Sequence, residues 1–197
     1  MGSRAAARKG KRKKRPFPLR KTGFSGKDHG QIQSRRNAPL TMPETRPSSV
    51  LFVCLGNICR SPLAEGVMMA VLKERGRDNG IVIDSAGTNG YHTGEAPDRR
   101  SIAVAAKYGI DISAQRCRQL EPADFMKFDL ILGMDRGNLA AIRQRKPAEG
   151  KAGIGMFSSI ALGQDIEIPD PYYGGPEDFE QVYRMILAAS QSLAERF

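Results

Sequence analysis

Residues 50–61 read Val50-Leu51-Phe52-Val53-Cys54-Leu55-Gly56-Asn57-Ile58-Cys59-Arg60-Ser61. The first five are a short continuous apolar run, the pattern of a strand buried on both faces of a parallel sheet. After a loop containing Gly56 and Asn57, Pro62 opens a segment with Leu63, Val67, Ala70 and Val71 at helical spacing, and Gly76 closes it. Proline suits a first helical turn and glycine a helix end. Strand, loop and helix in this order predict the first βα unit of an α/β sheet, with residues 50–54 as its central strand.

The same alternation continues outward. Residues 81–84 read as a second strand and residues 97–108 as a second helix, with Ile102, Ala105 and Ala106 inward and Gly109 as its stop. A third strand covers residues 128–134 (FDLILGM), followed by a helix over 137–145, and residues 155–157 are the candidate fourth strand. A last helix from Pro176 sets Phe179, Val182, Ile186, Ala189 and Leu193 on one stripe. This order predicts an α/β fold, an open four-stranded parallel sheet with helices on both faces. Right-handed crossovers then put the functional loops beyond the carboxyl ends of the strands.

The charge is unevenly placed. The 197 residues carry 31 Lys and Arg against 21 Asp and Glu, but 14 of the basic residues and only Asp28 and Glu44 of the acidic ones fall in residues 1–47. The remainder is slightly acidic, so the net charge of +10 does not by itself call for a nucleic-acid partner. Residues 1–47 have five of the 12 prolines and no sustained periodicity, and are expected to be a basic, disordered extension. Lys9 to Arg15 (KGKRKKR) resembles a nuclear-localisation or nucleic-acid patch, and the stretch up to Gly26 resembles a transit peptide. A start at Met42, with a non-native segment upstream, is the plain alternative. The Met-Gly opening has Ala6 where myristoylation expects Ser or Thr. No apolar run approaches the ~20 residues of a bilayer span, and three cysteines suit reduced thiols, so the expected setting is cytoplasmic and without membrane partners.

Residues 54–61 form a Cys-x5-Arg-Ser pattern between strand and helix. A thiolate is a strong nucleophile but needs a positive field to form at neutral pH. The amides of Leu55, Gly56, Asn57, Ile58 and Cys59, turned inward at a helix N-terminus, would supply that field and a cradle matched to phosphate. Gly56 and Asn57 are the residue types that most readily take the left-handed backbone such a loop demands. Arg60 can close the ring with a planar fork for two phosphate oxygens, and Ser61 can donate to the sulfur. A Cys at a strand end is most often a core thiol; here the flanking strand and helix and the internal Gly-Asn meet three further requirements.

Ester hydrolysis also needs an acid for the departing oxygen. Asp170, between Pro169 and Pro171 in a turn that continues Tyr172-Tyr173-Gly174-Gly175, fits that role, although Asp-Pro by itself more often only starts a turn. Tyr172 and Tyr173 in such a loop favour walls around an aryl group.

Residues 54–61, then Pro62-Leu63-Ala64-Glu65-Gly66, Asp84-Ser85-Ala86-Gly87-Thr88, Phe128-Asp129, Met134-Asp135 and Asp170-Pro171-Tyr172-Tyr173 resemble, in order and spacing over residues 48–197, the low-molecular-weight protein tyrosine phosphatases. The resemblance implies a phosphohydrolase of protein tyrosine phosphate, active also on small aryl phosphates. It implies Cys54 as nucleophile, Arg60 as phosphate ligand, Asp170 as general acid and then base, and no metal or other cofactor. Asn57, Ser61 and Ser85 would hold the cradle in shape, while Leu55, Tyr91, Tyr172 and Tyr173 would line the cleft. Tyr91 stands where Trp is frequent and His92 where many relatives have Asn, which bears on substrate preference. Gln115 stands where some relatives place a His that supports the loop Asn, so that support does not transfer.

Cys59, five residues from Cys54, is expected to capture an oxidised Cys54 as a reversible disulfide, or else only to pack the loop. A thiol-dependent arsenate reductase on the same scaffold is the nearest alternative; its relay calls for further cysteines, and the end of the third strand reads Leu132-Gly133-Met134-Asp135, leaving only Cys117. A non-catalytic anion or nucleic-acid module, driven by the basic extension, is the alternative of another class.

Overall fold

The computed structural model describes residues 46–197. The basic extension, its localisation and transit signals and the Met42 start lie outside the described residues, except for its last two positions. Pro47 is buried and Arg46 Nη1 donates to the carbonyl of Phe197 at 3.3 Å.

Four parallel strands, β1 (Ser49–Cys54), β2 (Val82–Gly87), β3 (Leu130–Gly133) and β4 (Gly153–Met156), lie in the order β2-β1-β3-β4. β1 is central and buried along its whole length, as its unbroken apolar run requires. Alternate residues feed two cores. Val50 and Phe52 point to the larger one, filled by α1 (Arg60–Glu74), α2 (Arg99–Lys107), α5 (Phe157–Leu162) and α6 (Pro176–Leu193). Leu51 and Val53 point to the smaller one, under α3 (Asp124–Lys127) and α4 (Arg136–Arg145). Helices therefore cover both faces of the sheet, the expected α/β architecture. Asp129, just before β3, clamps the start of β1 by accepting from Ser48 N, Ser48 Oγ and Ser49 Oγ at 2.8, 3.0 and 2.9 Å.

The departures from the expected elements have local causes. β2 runs on to Gly87 because residues 82–87 pair with all of β1, from Ser49↔Val82 to Cys54↔Gly87. α2 starts at Arg99, not 97, since Asp98 caps it by accepting from Arg100 N. That start turns Val104 inward with Ala105 and leaves Ala106 exposed. β4 begins at Gly153, and Phe157, expected to end the strand, instead opens α5, whose apolar residues had no period long enough to separate helix from strand. α6 buries its whole expected stripe, with Tyr183 added.

Two glycines fix how the central strands meet their surroundings. A Cβ on Gly87 would lie 2.8 Å from Asn89 O and 3.0 Å from Leu55 O, so only glycine lets the loop after β1 pass over the end of β2. On Gly133 it would lie 3.1 Å from Leu139 N, against the first turn of α4. Both sit at the carboxyl edge of the sheet, where the loops after β1, β2 and β3 gather.

Candidate active site

The loop from Leu55 to Cys59 joins β1 to α1 at that edge. Among the described residues, none of its five amides donates to a protein acceptor, although Asn57 and Cys59 are buried. Buried backbone N–H groups are nearly always paired, so a run of free ones describes an anion cradle. Asn57 alone in the loop takes the left-handed conformation, at φ 57°. Gly56, expected to share it, does not; its lack of a side chain instead leaves room for His92, whose Cδ2 would lie 3.2 Å from a Cβ there.

Asn57 is fastened on every side. Its Nδ2 donates to Ser61 Oγ and Ser85 Oγ, each at 2.9 Å. Its Oδ1 accepts from Arg118 N at 2.8 Å, and its carbonyl accepts from Cys117 Sγ at 2.8 Å. Ser61 Oγ donates in turn to Cys54 Sγ at 3.1 Å. Arg118 is itself held by Asp84 and Asp124, both at 2.9 Å. Gln115, where the support was not expected to transfer, does not touch Asn57; the Arg118 amide and the Cys117 thiol do that work.

Arg60 opens α1 with its side chain 3% exposed. Nη1 donates to Asp135 Oδ2 at 2.6 Å and to the Ile168 carbonyl at 3.2 Å; Nη2 donates to Asp170 Oδ2 at 2.7 Å. Nε is buried without a partner. Burial opposes the guanidinium charge, but Cys54, Asp135 and Asp170 outweigh it and hold the group above its ordinary value. Asp135 is anchored from its other oxygen, which accepts from Asn138 N at 2.6 Å and so caps α4.

Asp170 is carried by the loop before α6. Ile168 N bonds the Met134 carbonyl at 2.9 Å, tying that loop to the end of β3. Arg100 ties it to α2, donating to the carbonyls of Tyr172 and Gly174 at 2.9 and 3.2 Å while pairing with Asp98 at 2.8 Å. The guanidinium also lies 4.6 Å from the Phe179 ring centre.

A cavity of about 300 Å³ results, lined by Cys54, Leu55, Gly56, Ile58, Cys59 and Arg60 at its base, and by Asp170, Tyr91, Tyr172, Tyr173, Asn89 and His92 above. The expected contacts and walls meet there, with Asn57, Ser61 and Ser85 behind the base. Asn89 is an addition, and His92, tied in the sequence to substrate preference, sits on the wall and pairs with Glu95 at 2.9 Å. A larger cavity of about 810 Å³ between α2 and α6 is remote from Cys54, and its Lys107 and Arg184 are both paired to Glu180. Sequence reading gave no role to Asp135, Arg118 or Arg100. Asp135 stands in the motif Met134-Asp135 without a role attached to it, and an Asp between a strand and a helix otherwise reads as a cap.

The three thiols are free and buried. Burial, then Asp98 and Cys54, push the Cys59 thiol up to about 12, and burial with Cys54 and Glu95 pushes Cys117 up to about 11. Both stay protonated at neutral pH, which suits Cys117 as a donor to Asn57.

The family model for "Low molecular weight phosphotyrosine protein phosphatase" matches residues 49–197. A low molecular weight protein-tyrosine-phosphatase of Streptomyces coelicolor is 42% identical over 150 residues, covering 73% of this chain and 90% of the relative. The human low molecular weight phosphotyrosine protein phosphatase is 38% identical over 157 residues, 79% of this chain and 99% of the relative. Among solved structures, Vibrio vulnificus Wzb in complex with benzylphosphonate superposes with a TM-score of 0.68 at 31% identity, covering 76% of this chain and 99% of that one. The chain therefore belongs to the low-molecular-weight phosphotyrosine protein phosphatase family.

Proposed function

We propose that the chain hydrolyses phosphotyrosine in proteins, and small aryl phosphates, through a phosphocysteine on Cys54. The observation that carries this is the meeting of Cys54, the Arg60 guanidinium and the Asp170 carboxylate in one cavity, above five amides that have no protein acceptor.

Arg60 sets the order of events. Among the described residues Nη1 is committed to Asp135 and Ile168, whereas Nε is unpartnered and Nη2 is held only by Asp170. An entering phosphoryl group takes Nε and Nη2 as a fork, and the amides take its remaining oxygens. The Asp170 carboxyl is thereby released toward the ester oxygen. The Cys54 thiolate attacks phosphorus in line, the P–O bond breaks, and protonated Asp170 gives its proton to the leaving phenolate. Water then attacks the phosphocysteine, Asp170 takes its proton, and sulfur leaves as a thiolate stabilised by the Ser61 hydroxyl 3.1 Å away.

Tyr91, Tyr172 and Tyr173 stand at the mouth and lengthen the walls, so a phenyl ester reaches the base while a shorter seryl ester stays above it. The benzylphosphonate in the Vibrio relative is a ligand of the same aryl type. Among the described residues no helix is long and apolar enough to cross a membrane; three free thiols favour a reducing, cytoplasmic setting.

Steady-state hydrolysis of phosphotyrosine and phosphoserine peptides tests the proposal. The wild type should prefer the former and show a bell-shaped pH profile, Cys54→Ser should abolish turnover, and Asp170→Ala should slow it with binding nearly intact. Turnover by Cys54→Ser at the wild-type rate refutes the assignment.

A further inference from the structure

The hydrogen bonds behind the cradle run in one direction. Asn57 Nδ2 has two hydrogens, one spent on Ser61 Oγ and one on Ser85 Oγ. Ser85 Oγ therefore accepts from Asn57, and its own hydrogen goes to Glu65 Oε2 at 2.7 Å. Ser61 Oγ likewise accepts from Asn57, and its one hydrogen faces Cys54 Sγ at 3.1 Å and the Ala86 carbonyl at 3.2 Å. Both branches end on an acceptor, the sulfur on one side and the Glu65 carboxylate on the other. Glu65 lies on α1 and contacts neither the cavity nor the sulfur.

Resting on the function proposed above, we infer that Glu65 is a positioning residue for the phosphate loop: as a carboxylate it orients the Ser85 hydroxyl, and through it the Asn57 amide that shapes the cradle. Protonating Glu65 weakens the link. The neutral carboxyl can still accept from Ser85 Oγ through its carbonyl oxygen, but as an uncharged and weaker acceptor than the carboxylate, as a Gln side chain would be.

The carboxyl is poised for that change. Burial is the chief reason its pKa is pushed up to about 7. The charged groups facing it are Asp84 on β2, which adds to the rise, and Arg118 after α2, which opposes it. Ser85 and Gln115 favour the charged form as hydrogen-bonding neighbours, and Gln115 Oε1 is buried without a partner. No cation pairs with Glu65 among the described residues, Arg118 being taken by Asp84 and Asp124.

Electrostatics alone makes the opposite prediction, which gives the test its sign. A negative Glu65 behind an anion site repels the anion, so simple charge removal tightens binding, whereas loss of the oriented chain weakens it. Sulfate is a suitable probe because it remains a dianion between pH 6 and 8. Its dissociation constant should be measured by calorimetry on the full chain, for wild type, Glu65→Gln and Glu65→Ala. Gln keeps an acceptor for Ser85 but does not titrate. At pH 8 Glu65→Gln should bind a few fold more weakly than the wild type and Glu65→Ala about tenfold more weakly. Toward pH 6 the wild type should weaken until it approaches Glu65→Gln, following the fraction of protonated Glu65. In kinetics at pH 8, adding Ser85→Ala to Glu65→Ala should cost less than it does alone, because both belong to one chain of bonds.

A wild-type to Glu65→Gln ratio that is flat from pH 8 to 6, or that moves toward tighter wild-type binding, overturns the inference while leaving Cys54 and Arg60 in their roles. Failure of the wild type both to bind sulfate and to hydrolyse phosphotyrosine overturns it together with the reading it rests on.

Discussion

Asn57 bears more of the cradle than any other side chain, and its replacement can be worked through bond by bond. In Asn57→Ala the Arg118 amide loses its acceptor, which costs about 1–3 kcal/mol for a buried donor. Ser61 and Ser85 each lose a donor but keep Cys54 and Glu65 as partners, a smaller loss of about 0.5–1 kcal/mol each. Alanine must also hold the left-handed backbone at φ 57°, at about 1–2 kcal/mol. Together these amount to about 3–7 kcal/mol, a large part of the 5–15 kcal/mol that domains of this kind possess. Asn57→Gly makes the same side-chain deletion without the backbone strain, so it should be more stable than Asn57→Ala by about 1 kcal/mol. Urea unfolding of the three proteins, followed by circular dichroism, measures both differences. In the folded variants kcat/KM for p-nitrophenyl phosphate should fall by tenfold or more. Unfolding free energies within about 0.5 kcal/mol of wild type for both variants refute the role of the network; equal values for Ala and Gly refute the backbone contribution.

Asp135 has two tasks that substitution separates. Asp135→Asn keeps an oxygen for Asn138 N but removes the charge from Arg60, and Asp135→Ala removes both, so Ala should be less stable by about 1 kcal/mol in urea unfolding while both lose tenfold or more in kcat/KM; wild-type kcat/KM in Asp135→Asn contradicts the anchoring of Arg60. Arg100→Ala frees the acid loop without touching the cradle, so kcat for aryl phosphates should fall several fold while inhibition by inorganic phosphate is unchanged; equal losses in both contradict this. Glu65 sets a pH dependence of stability. Its folded pKa of about 7 lies above the usual 4.5, so the native state holds the extra proton between those values and unfolding free energy falls as pH rises through that window. The ceiling is about 3 kcal/mol, reduced to about 1–2 by partial solvent exposure. Glu65→Gln should therefore exceed the wild type by that amount in urea unfolding at pH 8 and match it below pH 4.5; a constant difference contradicts the shift.

What was legible in the sequence was local. Cys54 and Arg60 belong to one βα loop, so spacing along the chain translates directly into spacing in the site. The same holds for the stripe of α6, which needs only one period and one partner face. The missing parts are contacts across the fold. Arg60 meets Asp135 over 75 residues, and Asn57 meets the Arg118 amide over 61. Asp135 falls within the motif Met134-Asp135, but nothing local ties it to Arg60, since an Asp before a helix reads as a cap, which Asp135 also is; Arg118, in a loop, reads as a solvated charge. α5 failed for a related reason, since residues 157–162 are too short for a period to show, and what makes them helical is α6 against one side and the end of β4 against the other. Gly56 shows the limit of residue type as evidence. Glycine tolerates a left-handed backbone, yet here its missing side chain leaves room for His92, and Asn57 takes the strained position because its side chain has three partners waiting. Motif residues are thus read from the sequence because chemistry fixes their spacing, whereas the groups that hold them are fixed by topology. Gly87, at the end of β2, joins the two: it is readable as part of a motif, but its necessity comes from the loop after β1, whose Leu55 O would lie 3.0 Å from a Cβ there.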